Sequence, residues 1–268
     1  MESNNADEIR KVVRDRYAEL ARMQAPSCCG GPTEAASCCC DPTSVQLRAT
    51  RHHYSEEELD ALSADIPSLG CGNPTALSEL KENEVVLDLG SGGGLDCFLA
   101  ARSVGPGGRV IGLDMTPEMV ELARANAGKM SLDNIEFRLG EMEHMPVESE
   151  SVDVVISNCV INLSTDKDAV FREVFRVLKP GGRLCVSDIV THGELPRQVR
   201  ENLELWACCV AGALDEQDYL ARIHAAGFTQ PNVQDAKTVW SAQRTCCEAE
   251  DPARAMVASV TVTARKPA

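Results

Sequence analysis

The chain has 268 residues, 44% of them apolar and 4% aromatic, enough to bury a sizeable and mostly aliphatic core in one α/β domain with extensions or in two small domains. Its formal net charge of −15 is repelled by phosphate backbones and anionic lipid, which sets aside nucleic acid and membrane surfaces as partners. There is no run of about 18 apolar residues, and Met1 to Arg10 lacks the basic and apolar regions of a secretion signal, so a cytoplasmic protein is expected. In that reducing setting the thirteen cysteines read as ligands, nucleophiles or small core residues rather than as a disulfide scaffold.

In chain order, Ile9, Val12, Val13, Tyr17 and Leu20 recur at helical spacing and predict an amphipathic helix over Ile9–Ala21. Pro26 to Pro42 has no periodicity and carries Cys28, Cys29, Cys38, Cys39 and Cys40; it reads as a loop. Ser55 and Glu58 form a capping signature that opens a short helix. Strands then alternate with helices. Val85–Leu89, Arg109–Asp114, Ile135–Leu139, Val152–Ser157 and Leu184–Asp188 read as strands. Leu95–Ser103, Pro117–Lys129 and Asp168–Leu178 read as helices, the second with Thr116 as N-cap and the third stopped by Lys179-Pro180-Gly181-Gly182. This rhythm predicts a doubly wound, Rossmann-like parallel sheet. After Val190 the rhythm breaks. Helices are expected at Arg197–Leu214 and Glu216–Ala226, with an antiparallel strand pair, Val233–Val239 and Met256–Arg265, closing the sheet edge.

The glycine loop Asp88-Leu89-Gly90-Ser91-Gly92-Gly93-Gly94 joins the first strand to the following helix, where the missing side chains let a ligand approach the backbone. Asp114 ends the next strand, 24 positions after Gly90, placed to accept ribose hydroxyls. The dinucleotide fingerprint needs a third glycine at position 95, which is Leu95. The G-x-G-x-G form resembles class I methyltransferases instead. Asp88 suits the cationic amino-acid end of such a cofactor, and Gly140-Glu141-Met142-Glu143, after the third strand, falls where that fold meets adenine.

Three cysteines stand in distinctive settings: Cys71 in Gly70-Cys71-Gly72, Cys159 just beyond the fourth strand, and Cys209 beside Cys208 in the helix predicted after the fifth strand. Ligands in open α/β sheets bind beyond the carboxyl ends of the strands, which puts Cys159 at the cofactor mouth. Three thiolates suit a soft trivalent centre. Structural zinc generally uses paired C-x₂-C spacings, absent here. No His-carboxylate constellation appears; His52, His53, His144, His192 and His224 read as surface or packing residues.

From Ile9 to Phe228 the sequence resembles the arsenite S-adenosylmethionine methyltransferases. The strings that carry the likeness are Leu69–Pro74, Asp88–Cys97, Gly112–Met119, Phe137–His144, Ser157–Leu163 and Cys209–Ala213. The resemblance implies a seven-stranded class I methyltransferase sheet over 69–190, an N-terminal helix and Cys-rich extension over 1–68, and a small substrate-capping region over 191–268. It implies S-adenosylmethionine as cofactor, held by Asp88, Gly90, Gly92, Gly94, Asp114, Met115, Met142, Glu143 and Asn158. Arsenic(III) is expected on Cys71, Cys159 and Cys209, with a redox cysteine among Cys28, Cys29, Cys38, Cys39 and Cys40, of which Cys40 is the choice. Arsenite or its thiol adducts are the implied substrate, a thioredoxin or glutathione-type thiol the implied reductant, and a monomer the expected state. Thiolate ligands call for depressed pKa values. Two rival readings share part of this pattern. A quinone- or sterol-type C- or O-methyltransferase shares the loop and Asp114, and a non-catalytic metalloid-binding protein shares the cysteines.

Overall fold

A computed structural model of the chain describes residues 2–24, 53–60, 62, 66, 69–130, 132–238 and 257–268. Cys28, Cys29, Cys38, Cys39, Cys40, His52, Cys246 and Cys247 lie outside them, as does the loop expected over Pro26–Pro42. The elements are α1 (Glu2–Gln24), α2 (Glu56–Asp60), α3 (Pro74–Leu77), β1 (Val85–Leu89), α4 (Leu95–Val104), β2 (Arg109–Asp114), α5 (Pro117–Ala127), β3 (Ile135–Leu139) and β4 (Val152–Asn158). They continue with α6 (Lys167–Val177), β5 (Leu178–Thr191), α7 (Arg197–Arg200), α8 (Leu203–Ala207), β6 (Leu214–Asp215), α9 (Glu216–Ala225), β7 (Thr229–Thr238) and β8 (Val257–Arg265).

The strands run in the order β3-β2-β1-β4-β5-β8-β7, with the two-residue β6 paired to β5. β1 to β5 are parallel, and β8 is antiparallel to both β5 and β7. β1 shows how sequence sets the layers. Leu87 and Leu89 point into one apolar layer with α6 and α9, while Val86 points into the other with α4 and α5. Side chains alternate along a strand, so a central strand covered on both faces is apolar throughout. The chain winds outward from β1 through β2 and β3, then returns through β4 and β5. The crevice therefore opens where strand order reverses, between β1 and β4.

Ser55 and Glu58 form the predicted capping box: the Ser55 amide donates to Glu58 Oε2 at 2.8 Å, and the Glu58 amide donates to Ser55 Oγ at 3.2 Å. Three expectations are corrected. Thr116 precedes α5 but makes no side-chain cap; its amide instead donates to Asp114 Oδ1. The fifth strand is longer than expected and begins at Leu178, because the Lys-Pro-Gly-Gly stretch is absorbed where β4 shifts register beside it. The single helix expected over Arg197–Leu214 is two short ones. Asn202 accepts from the amides of Glu204 and Leu205 and so starts α8 afresh, and Cys209 ends the segment with a left-handed φ of 63°. Among the described residues no helix is long and apolar enough to cross a membrane.

Candidate active site

A cavity of about 1080 Å³, counted with its open mouth, lies at the carboxyl ends of β1, β2 and β4. Gly90, Gly92, Asp114, Met115, Met142, Glu143, Asn158 and Cys159 all line it. Gly92 has φ 50°, and a side chain built on it would meet no atom within 4 Å, because that direction is the cavity itself. Asp114 braces the loop from the next strand: Oδ2 accepts from the Gly92 amide at 3.0 Å and Oδ1 from the Thr116 amide at 2.8 Å. Burial raises the Asp114 pKa, and these donors oppose the rise.

Two expected residues stand back from the cavity. Asp88 is fully buried and accepts from the Cys97 thiol at 3.2 Å. Burial first, and Asp96 second, push its carboxyl well above the usual range. Gly94 caps α4 and packs against Phe98. Asp96 lines the cavity together with Asp114 and Glu143, and burial raises its pKa to about 6. Sequence reading missed it because it lies in the first turn of α4, just past the glycine loop. The α1 residues Arg10, Val13 and Tyr17 also line the cavity and were not anticipated there.

The cavity suits S-adenosylmethionine on its own chemistry. Ser91 lines it with a buried hydroxyl that has no hydrogen-bond partner, a group a polar ligand would satisfy. Met115 and Met142 offer soft apolar walls. Asp96 and Asp114 supply acceptors for a cationic amino group and for ribose hydroxyls.

The thiols gather at one end. Cys159 is buried directly after β4, with its amide donating to Ser187 O at 2.7 Å and a left-handed φ of 62°. Its side chain packs with Cys209 and Cys71 in one apolar cluster. Cys209 Sγ donates to Cys159 O at 2.7 Å. Left-handed backbone is uncommon outside glycine and costs of order 1–3 kcal/mol at each residue, so both cysteines are held in place by their surroundings.

Cys71 is brought in by glycine neighbours. A Cβ on Gly70 would sit 2.1 Å from the Asn158 side chain, and one on Gly72 would sit 2.6 Å from Ser187. The turn can therefore press against the ends of β4 and β5. Asn158 then fastens it. Oδ1 accepts from the Cys71 and Gly72 amides at 2.9 and 3.1 Å, while Nδ2 donates to Gly72 O, Asp96 Oδ2 and Tyr54 Oη. Ser259 on β8 donates to Cys71 O at 3.0 Å.

Among the described residues no group of three or more His, Cys, Asp or Glu is placed to hold a metal ion. The thiols form a string through Cys159 rather than a closed cage. The expected depression of thiol pKa is also overturned at Cys159. Its hydrogen bonds to Cys209 and Cys71, then burial, push it well above the ordinary thiol range. The reason is that the thiols crowd one another in an apolar cluster with Leu163, Ile189 and Val210. The six described cysteines are free thiols, and Cys208 is exposed beside buried Cys209. His53, His144, His192 and His224 are exposed, as expected.

A methyltransferase-domain family model matches residues 80–227. An arsenite methyltransferase from Halobacterium salinarum is 43% identical across 98% of this chain and 68% of its own length. The mouse arsenite methyltransferase is 36% identical across 88% of this chain and 62% of its own. An arsenic(III) S-adenosylmethionine methyltransferase structure from Chlamydomonas reinhardtii is similar with a TM-score of 0.63 and 34% identity, over 83% of this chain and 73% of that one. The chain thus spans roughly two thirds of the length of these relatives.

Proposed function

The chain belongs to the arsenite methyltransferase family, and from that premise we propose that it transfers methyl groups from S-adenosylmethionine to thiolate-bound arsenic(III), giving methylated arsenicals and so detoxifying arsenite. The observation that carries the reading is that Cys159, which lines the glycine-loop cavity, packs in one apolar cluster with Cys71 and Cys209. A quinone- or sterol-type methyltransferase has no use for three converging thiols, and a metalloid sink has no use for the loop and Asp114.

When bound, S-adenosylmethionine supplies an electrophilic methyl group on a sulfonium. Gly90, Gly92, Asp96 and Asp114 would hold it, and Met115 and Met142 would line its apolar side. Arsenite arrives as a thiol adduct. Each exchange breaks one bond from arsenic to the incoming thiol and forms one to a cysteine, and the cysteine proton leaves on the departing thiol. Protonated thiols therefore suffice, and no separate base is needed. For Cys209 to close the string around arsenic, its thiol must leave the Cys159 carbonyl. The lone pair left on arsenic is the nucleophile, so the chain's contribution is placement and the exclusion of water. Methyl transfer takes arsenic(III) formally to arsenic(V). Two of its thiolate ligands leave joined as a disulfide, which returns it to arsenic(III), and free thiol refills the vacated position. A thioredoxin or glutathione-type thiol then reduces the disulfide in the reducing cytoplasm, and the chain works as a monomer.

Incubation with arsenite, S-adenosylmethionine and a thiol, followed by arsenic speciation, tests substrate and reaction together. Methylated arsenicals are expected from the wild type. Cys159→Ser and Cys209→Ser are each expected to lose methylation while still binding S-adenosylmethionine in calorimetry. Full turnover by either variant refutes the thiolate model, and stoichiometric arsenic binding without S-adenosylhomocysteine release returns the chain to a metalloid sink.

A further inference from the structure

Building on that reading, we infer that Tyr17 of α1 is a positioning residue for methyl transfer, standing where the cofactor cavity meets the thiol cluster and holding water out of the gap. Five described side chains both line the cavity and pack in the thiol cluster: Val13, Tyr17, Met115, Cys159 and Leu163. Cys159 is the central thiol and Val13, Met115 and Leu163 are apolar. Tyr17 alone brings a hydroxyl.

Its place follows from the α1 stripe. Ile9 and Val13 pack with Cys159 and Cys209, while Leu20 and Ala21 pack with Met119 and Leu122 of α5. Tyr17 lies between these patches and touches both. Arg14 pairs with Glu141 at 3.5 Å and Arg22 with Glu118 at 2.5 Å, which ties the helix down on either side of it. The groups acting on its hydroxyl are Cys209, Cys159, Cys208 and Asp114, which come from both halves of the site. Burial first, and those neighbours next, raise its pKa well above the usual phenol value.

A side chain at this junction acts on the geometry between two bound partners more than on either partner's binding. A misplacement of about 1 Å between reacting groups can cost roughly 100-fold in rate. Removing the ring also admits water and gives the methyl group a second acceptor, a cysteine sulfur. The thiol proton is then lost to solvent, a thioether forms and S-adenosylhomocysteine is released.

Wild type, Tyr17→Phe and Tyr17→Ala are compared in single-turnover reactions with arsenite, S-adenosylmethionine and glutathione. Both S-adenosylhomocysteine and methylated arsenic are counted, and S-adenosylmethionine affinity is measured by calorimetry. For Tyr17→Ala a fall of about 10- to 100-fold in the transfer rate is expected, with cofactor affinity held within about threefold. The ratio of S-adenosylhomocysteine to methylated arsenic is expected to rise above that of wild type, and Tyr17→Phe is expected to restore the ratio by restoring the ring. A Tyr17→Ala rate and ratio equal to wild type overturn the inference. So does a rate that falls only in step with cofactor affinity and thermal unfolding, since the ring would then serve the fold alone. Absence of methylated arsenic from the wild type overturns the functional reading itself, and this inference with it.

Discussion

Asn158 spends its whole amide on neighbours from distant parts of the chain. Its oxygen takes two amides of the Cys71 turn, and its nitrogen reaches Gly72, Asp96 and Tyr54. The string Ser157–Leu163 marked it as a cofactor residue, and it does line the cavity. Its partners lie 62 to 104 positions away, so nothing local in the sequence could show that it also anchors Cys71. Removing it strands two half-buried amides and frees the turn. Asn158→Ala is therefore expected to lower methylation about 10- to 100-fold, as loss of outer-shell support does at metal sites, and to cost about 1–3 kcal/mol per group left unsatisfied. Speciated turnover and denaturant midpoints read the two effects separately, and a variant with wild-type turnover would remove Asn158 from the thiol machinery.

At the scale of elements, the parallel strands were legible almost to the residue, because a run such as Val85–Leu89 between turn residues has few other readings. The region after β5 was less legible. Apolar periodicity from Arg197 to Leu214 continues across the break, and only the Asn202 cap and the left-handed Cys209 end the helices there. That break matters to the site, since it turns Cys209 toward Cys159. The antiparallel pair was foreseen, but β8 holds an interior place between β5 and β7. It matches β5 over nine residues, from Arg183↔Arg265 to Thr191↔Val257, and carries the Ser259 hydroxyl to Cys71. Deleting residues 257–268 exposes one whole flank of β5 and leaves β7 without a partner. The truncated chain is expected to lose cooperative unfolding in circular dichroism, and a sharp transition close to that of the intact chain would contradict this.

The whole molecule carries a buried polar network beneath the thiols. Asp188 accepts from Asn162 Nδ2 at 2.8 Å, the Ile189 amide at 2.9 Å and Tyr219 Oη at 3.2 Å. Burial still raises its pKa to about 7. Between about pH 4 and 7 the folded chain holds a proton that the unfolded chain has released, so stability falls as pH rises through that window. Lys167 works in the opposite sense. Burial lowers its pKa to about 8, so stability rises with pH between about 8 and 10. Asp188→Asn keeps the acceptor and removes the first slope. Relative to this variant, wild type is expected to lose up to about 4 kcal/mol between pH 4 and 7, at roughly 1.4 kcal/mol per pKa unit. Denaturant midpoints across that range check the sign; parallel curves would show that Asp188 does not titrate there.

Trp206 belongs to the same network. Lys167 Nζ stands 5.6 Å from the centre of its ring, its indole donates to Leu163 O at 3.2 Å, and its carbonyl accepts from the Cys209 amide at 2.9 Å. The chain has two tryptophans, so a Trp240→Phe background leaves a single emitter packed against the thiols. The scarcity of aromatics that makes this core aliphatic also gives the protein an intrinsic optical gauge, in which the arrival of a heavy atom at Cys209 is recorded as a change in the light from one indole.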